Sequence, residues 1–263
     1  MSDSEPHDLV GDLRSADRAQ RVAAIQRAAE VESPTDDQIE ALTSCLSSPD
    51  KLIQRRAAEA LAHLHRADVP VEGLLLEALR ASDARFRWGA AFALSLLGPL
   101  APAARPILIE NLGVDDGDVR WASADLLLHG SEGLVGADDL CRLLGEGNSN
   151  QRKMAAYCLR RLEQRSAAVQ AALAIALGDH DVGVRLAAVA ALARLPSDET
   201  AAADGIAALL EDADAGVRRA AAAALGQLRG LSPAVLTKLR RAASSEDDSL
   251  HRAAAGALAK LGL

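Results

Sequence analysis

The chain has 263 residues, 49% of them hydrophobic but only 2% aromatic, and a formal net charge of −8. Its acidic balance argues against nucleic acid as a default partner, and no apolar run reaches the 18 residues that read as a membrane span. Cys45, Cys141 and Cys158 are odd in number and lack CxxC spacing, and the opening MSDSEPHDLV does not read as a secretory leader, so a cytoplasmic setting is expected.

Taken in order, the text falls into eight copies of one pattern, at about 5–31, 35–65, 70–97, 102–129, 137–163, 166–195, 198–229 and 232–262. Their reference positions are Arg21, Gln54, Arg87, Arg120, Arg152, Arg185, Arg218 and His251, 33 residues apart except for 32 between Arg120 and Arg152. Four places earlier stands an acid or its amide: Asp17, Asp50, Asp83, Asp116, Asn148, Asp181, Asp214 and Asp247. Seven places later stands Ala28 and then Leu61, Leu94, Leu127, Leu159, Leu192, Leu225 and Leu258.

Small and apolar residues at offsets 2, 3, 6, 7 and 10 from the reference fall on one flank of a helix. The acid before it is a good N-cap and puts negative charge at the positive end of the dipole. A second apolar stretch lies upstream of each acid, with Pro34, Pro70, Pro106 or Pro233 at or near the start of several. Each copy therefore predicts an antiparallel helix pair whose alanines let the next pair approach, and no pair can bury its face alone.

The copies differ in detail. In copy one the first helix, near HDLVGDL, is short; copy two has Gln54 for the reference Arg and carries its charge on Arg55 and Arg56. Between copies four and five, 129–136 and 145–150 hold five glycines, and Gly130 stands where Leu64, Leu97, Leu162 or Leu195 stand elsewhere. A bend is expected there. Copies six and seven are the most regular. Copy eight leaves Leu258 and Leu261 uncovered, which predicts self-association through that end.

Asp181, Val184, Arg185, Ala187, Ala188 and Leu192, and again Asp214, Val217, Arg218, Ala220, Ala221 and Leu225, carry a resemblance to the HEAT-repeat superfamily. They are closest in text to short bacterial HEAT-like repeats of the phycobilisome-lyase type. The resemblance covers practically the whole chain. It implies an all-α fold, a right-handed α-solenoid of eight HEAT-like helix pairs, read as a single domain over 1–263. It also implies that second helices line a concave face, and that the recurring Arg and Asp form a structural ladder between repeats. The superfamily contains scaffolds, inhibitors and a few enzymes, so it does not fix function.

Offsets 1, 5, 8 and 12 lie opposite the core flank and are expected in the groove. Of the five aromatic residues, Trp88 and Trp121 are at offset 1, and Phe92 and Tyr157 at offset 5; Phe86, at offset −1, reads as core. Copies six to eight fill offsets 1 and 5 with Leu186, Ala190, Arg219, Ala223, Arg252 and Gly256, so the fold does not demand rings there. An apolar patch of this kind marks a binding site. Arg55, Lys153, Arg219, Arg252, Arg160 and Arg66 set six basic groups on these offsets against Glu59, Asp125 and Glu132. Rings with basic flanks suit an acidic or amphipathic protein segment.

Three kinds of chemistry were weighed. Glu59 and His63 share a helix face without a third ligand, so no metal is assigned. The lyase-type text implies a bilin or tetrapyrrole subunit, with propionates meeting Arg and Lys. Trp121 and Asp125, with Trp88 and Lys153 or Arg160, are similar to the groove of HEAT-like DNA-base glycosylases, in which Asp125 would be catalytic; the acidic chain departs from those basic enzymes. No partnered nucleophile or phosphate loop is visible. The expected function is thus a non-enzymatic protein-interaction scaffold without cofactor. It would bind a peptide or helix through Trp88, Phe92, Trp121, Asp125, Lys153, Tyr157, Arg160 and Arg55, with no membrane role and nucleic acid disfavoured.

Overall fold

In the computed structural model, which describes residues 8–98, 102–129, 135–162, 166–194 and 199–263, the described residues form sixteen α-helices and no strand. The chain divides into two compact units, Met1–Leu134 and Val135–Leu263. Unit one pairs α1 (Leu9–Leu13) with α2 (Arg18–Ala29), α3 (Asp36–Ser44) with α4 (Lys51–Arg66), α5 (Glu72–Ala78) with α6 (Ala84–Leu97), and α7 (Arg105–Asn111) with α8 (Gly117–His129). Unit two pairs α9 (Ala137–Glu146) with α10 (Ser149–Leu162), and α11 (Ala167–Ala176) with α12 (Val182–Leu192). Its last pairs are α13 (Glu199–Ala208) with α14 (Ala215–Leu225), and α15 (Pro233–Ala242) with α16 (Asp248–Lys260). Within each unit second helices pack on second helices, α2 on α4 on α6 on α8 and α10 on α12 on α14 on α16, the stacking of an all-α solenoid. The five-residue α1 matches the short first helix expected of copy one. Gly130, Leu195 and Glu132 lie outside the described residues.

The eight acids and amides before the second helices all act as caps. Each accepts a backbone N–H from the first turn, from Asp17 with Gln20 N–H at 2.7 Å to Asp247 with Ser249 N–H at 3.0 Å. Such a cap contributes about 1 kcal/mol. Among first helices, Thr35 forms a capping box with Gln38, and Ser166 and Ser232 cap α11 and α15, the latter with Pro233 at its first position.

Helix–helix distance is set by small residues. Offset 3 is Ala24, Ala57, Ala90, Ala155, Ala188, Ala221 and Ala254, all fully buried, with Ser123 alone departing from the pattern. At Gly226 an added Cβ would come within 2.7 Å of Ala257 Cα, so glycine is what allows α16 to lie so close to α14. The Leu positions at offset 7 are 3% exposed or less from Leu61 to Leu225, whereas Leu258 remains half-buried.

The reference arginines bind the loop before their own helix. Nη1 of Arg87 donates to the Ala81 and Ser82 carbonyls, that of Arg185 to Asp179 and His180, and that of Arg218 to Asp212 and Ala213, at 2.7–3.2 Å. These carbonyls belong to a segment just past the first helix, where helical partners run out. Gln54 does similar work from the same position, donating to the Leu46 carbonyl at 2.9 Å.

The ladder implied by the resemblance needs correcting in two respects. Among the described residues its rungs are seen in unit two: Arg152 to Asp179, Arg185 to Asp212 and Arg218 to Asp247, at 2.7–2.9 Å. Two of the three rungs use the acid six places before the next reference and not the capping acid at four. The capping carboxylate is turned to its own helix and accepts Val184 or Val217 N–H, so a second acid receives the Arg. Asp247 does both jobs, and the hydroxyl of Ser245, at the sixth place before His251, accepts Asp247 N–H. In unit one Ala81 and Val114 stand at the sixth place. Arg87 and Arg120 there donate to their own loop carbonyls, and each buries Nε without a partner among the described residues. Asp50 is instead held by Arg18, at 2.5 Å.

Candidate functional site

In unit one the second helices put Arg55 on α4, Trp88 and Phe92 on α6, and Trp121 and Asp125 on α8, all on the side away from the core. Arg55 and Asp125 are exposed and Trp121 is 47% exposed, the largest exposed aromatic surface among the described residues. Trp88 and Phe92 are half-buried and stack one helical turn apart, with centroids 5.6 Å apart and planes inclined by 8°. Such stacking adds about 1 kcal/mol to what burial supplies. Phe86 was expected in the core. It remains half-exposed where Val119, Val184 and Val217 are 0–1% exposed, because a ring is bulkier than the isopropyl group that fills this position elsewhere.

Trp88 also borders a small polar cavity of about 80 Å³, shared with Ser48, Lys51, Gln54, Arg85 and Asp118. That volume suits about two or three waters. Lys51 Nζ reaches Asp118 at 2.6 Å, linking the second helices of repeats two and four past the intervening α6. Both ends are well exposed, so the pair adds little stability and is screened by salt. Neither residue belonged to the sequence-derived set. The signal was faint: Lys51 and Asp118 are at different offsets and 67 residues apart.

In unit two Lys153, Tyr157 and Arg160 are half-buried on α10. The Arg160 guanidinium lies over the Tyr157 ring at 4.8 Å, a cation–π contact that holds both side chains on that face. Lys153 Nζ lies 3.4 Å from Asn150 Oδ1, and its stem passes over Gly183 of the next second helix. Leu186 and Ala190 on α12 are half-exposed, and Arg219, Ala223, Arg252 and Gly256 on α14 and α16 are exposed.

Charge within the site-bearing units is uneven. Unit one has 13 basic and 22 acidic residues, a net −9; unit two has 16 and 15, a net +1. In unit two three of the acids are held by arginines. The Arg152 guanidinium holds the Asp179 carboxyl below its usual range. At Asp212 burial pushes upward, but hydrogen bonds from Arg185 and from Asp214 N–H prevail and lower it. Asp247 is lowered by Arg218 and then by Ser249. The thiols are unsuited to nucleophilic work. Burial pushes Cys158 up to about 12, and also raises Cys45 against the opposing pull of Arg21; Cys141 is raised by burial and by Asp138. Among the described residues no group of three His, Cys, Asp or Glu is placed to hold a metal, and no helix is long and apolar enough to cross a membrane.

Among solved structures, the chain is similar to Kap95p in its complex with RanGDP, with a TM-score of 0.66 at 13% identity over 96% of this chain and 40% of that one. It is also similar to importin beta, with a TM-score of 0.59 at 17% identity over 97% and 40%. The Escherichia coli protein YibA matches with a TM-score of 0.53 at 18% identity, over 100% of this chain and 93% of that one. No curated protein matches the chain at a significant level. The family model for HEAT repeats matches residues 39–127 and 169–259, about two thirds of the sequence, and with the stacked helix pairs and their capped second helices this places the chain in the HEAT-repeat family.

Proposed function

We propose that this HEAT-repeat protein is an interaction scaffold, cytoplasmic and acting as one array over 1–263, that binds a peptide or helix of a partner protein. HEAT-repeat arrays commonly serve as such scaffolds. The observation that carries the reading is Trp121. Its ring is 47% exposed on a second helix, beside a helix bearing the stacked Trp88 and Phe92, at offsets that hold alanine, glycine, leucine or arginine in repeats six to eight. Exposed tryptophan is a costly way to cover a surface and an effective anchor for a partner. Arg55 and Asp125 supply polar contacts at the edge of the rings in unit one, and Lys153, Tyr157 and Arg160 offer a second contact set in unit two. The finer kinship, to repeats of the phycobilisome-lyase type, is supported by the text of repeats six and seven.

A displayed library of amphipathic peptides panned on the folded protein tests the proposal. Enriched peptides should carry apolar anchors and lose about 2 kcal/mol of affinity, roughly thirtyfold, with Trp121→Ala or Trp88→Ala. Absence of enrichment, or equal binding to folded Ala variants, would overturn it.

A further inference from the structure

Unit two carries a surface of different character, and its chemistry is specific enough to name a ligand class. Offset 1 of α10, α12, α14 and α16 reads Lys153, Leu186, Arg219 and Arg252. None of the four is fully buried, and the two arginines are exposed. Arg252 Nε is used by the Asp248 carbonyl at 3.1 Å, while Arg219 has no hydrogen bond or ion pair among the described residues. Next to this row, offset 5 reads Tyr157, Ala190, Ala223 and Gly256, and a Cβ added at Gly256 would meet nothing within 4 Å. The result is a row of cations with one leucine along a floor that is small-sided from α12 to α16, with Tyr157 at its α10 end. Of the nearby acids, Asp179, Asp212 and Asp247 are held by the ladder arginines and Asp181 and Asp214 cap their helices, while Asp248 lies one turn before Arg252 on α16, so the row's charge is least opposed at Arg219.

We infer that this face of unit two docks an acidic α-helix whose contacting residues recur every seven positions as acid, leucine-like, acid, acid. Spacing is the first reason. Neighbouring packed helices are about 8–10 Å apart, and seven residues of a helix rise about 10.5 Å. A helix lying along the stack thus meets Lys153, Leu186, Arg219 and Arg252 with positions one heptad apart. The floor is the second. Alanine and glycine let a helix backbone approach closely, as Gly226 already does for α16. Charge is the third, since three cations in one row, with Arg219 free of any hydrogen bond or ion pair among the described residues, complement an acidic face and disfavour a basic one. A nucleic-acid strand fits less well. Unit two holds one Phe, Tyr or Trp ring, Tyr157, already covered by Arg160, and so lacks the row of stacking platforms that single strands use.

The surface extends the second contact set proposed above, sharing Lys153 and Tyr157 with it, but uses nothing of the tryptophan face of unit one, and its test uses a peptide without aromatic residues. A fluorescein-labelled, alanine-based helix of about 24 residues, with Glu, Leu, Glu and Glu at heptad spacing, is titrated with the full chain and followed by anisotropy. Saturable binding that weakens with added salt is expected. The double variant Arg219→Glu/Arg252→Glu should weaken it at least tenfold, and so should Gly256→Trp, which fills the floor without changing charge. Lys238→Glu, an exposed cation on the first helix α15, should leave it unchanged; circular dichroism confirms that each variant is folded. No saturable binding, unchanged affinity in the folded double variant, or equally tight binding of a twenty-nucleotide oligo-dT would each overturn the inference.

Discussion

Arg185 and Asp212 lie 27 residues apart and meet side by side: Nη2 donates to Oδ1 at 2.9 Å, and Nε lies 2.9 Å from Oδ2. Their side chains are only 13% and 9% exposed, and the same Oδ1 accepts Asp214 N–H at 2.8 Å. Removing the guanidinium would strand a nearly buried carboxylate and free two loop carbonyls at once. Arg185→Ala should therefore lower stability by about 2–3 kcal/mol. Arg87→Ala, which loses carbonyl contacts but no ion pair, should cost about half as much. Urea titration followed by circular dichroism compares the two; equal losses would show that the rung adds nothing.

Acid should act on the same rungs. Asp179, Asp212 and Asp247 have carboxyls held below their ordinary values. A carboxyl depressed in the folded state stabilises fully above its unfolded value, about 3.9, and loses that contribution as pH falls through the folded value. Thermal melts should be nearly flat from neutral pH down to about 5 and then fall steeply below 4. Asp179→Asn/Asp212→Asn should be less stable at pH 7 yet show a shallower decline in acid. A parallel decline in both proteins would assign the acid sensitivity to other groups.

Ser123 offers a test with the opposite sign. It occupies offset 3, alanine in the other seven repeats, and its hydroxyl is fully buried without a hydrogen-bond partner among the described residues. Replacing it with alanine removes an unsatisfied polar atom and creates almost no void. Ser123→Ala should raise stability by about 1 kcal/mol. A loss of stability on chemical denaturation would mean the hydroxyl is satisfied after all.

The two tryptophans should be distinguishable in fluorescence. Trp121 is 47% exposed, whereas Trp88 is half-buried against Phe92. Free protein should show a red-shifted, acrylamide-quenchable component that disappears in Trp121→Phe, leaving bluer and better protected emission. Protected emission from both residues in the folded wild-type chain would remove the basis for treating Trp121 as an anchor.

The repeat register, the helix pairs and the caps were legible because each depends on local chemistry repeated eight times. An aspartate before an apolar helix caps it in any copy. The ladder acids were legible in principle, since Asp179 and Asp212 stand two places before the capping Asp181 and Asp214 as a D-x-D text. They recur in only two of the eight repeats, whereas the capping acid or its amide recurs in all eight and is the stronger periodic signal. Phe86 was misplaced because offset alone does not measure ring size against the space available. The Lys51–Asp118 link left only a faint signal: it joins different offsets of repeats that are not neighbours in sequence, which only the spatial path of the chain brings together.

Repeats six and seven each present an outgoing arginine and an incoming aspartate, so every such copy brings both halves of a joint to its neighbours. A duplicated segment of this kind, spliced in after its original, would find its connections ready at both ends, with the glycine and alanine contacts of matching size. Unit two is thus written in interchangeable modules that tolerate lengthening or shortening by whole periods. Unit one, with its joints made by Arg18 and Asp50, by Gln54 and the Arg85 carbonyl, and by Lys51 and Asp118, has each junction fitted to one address.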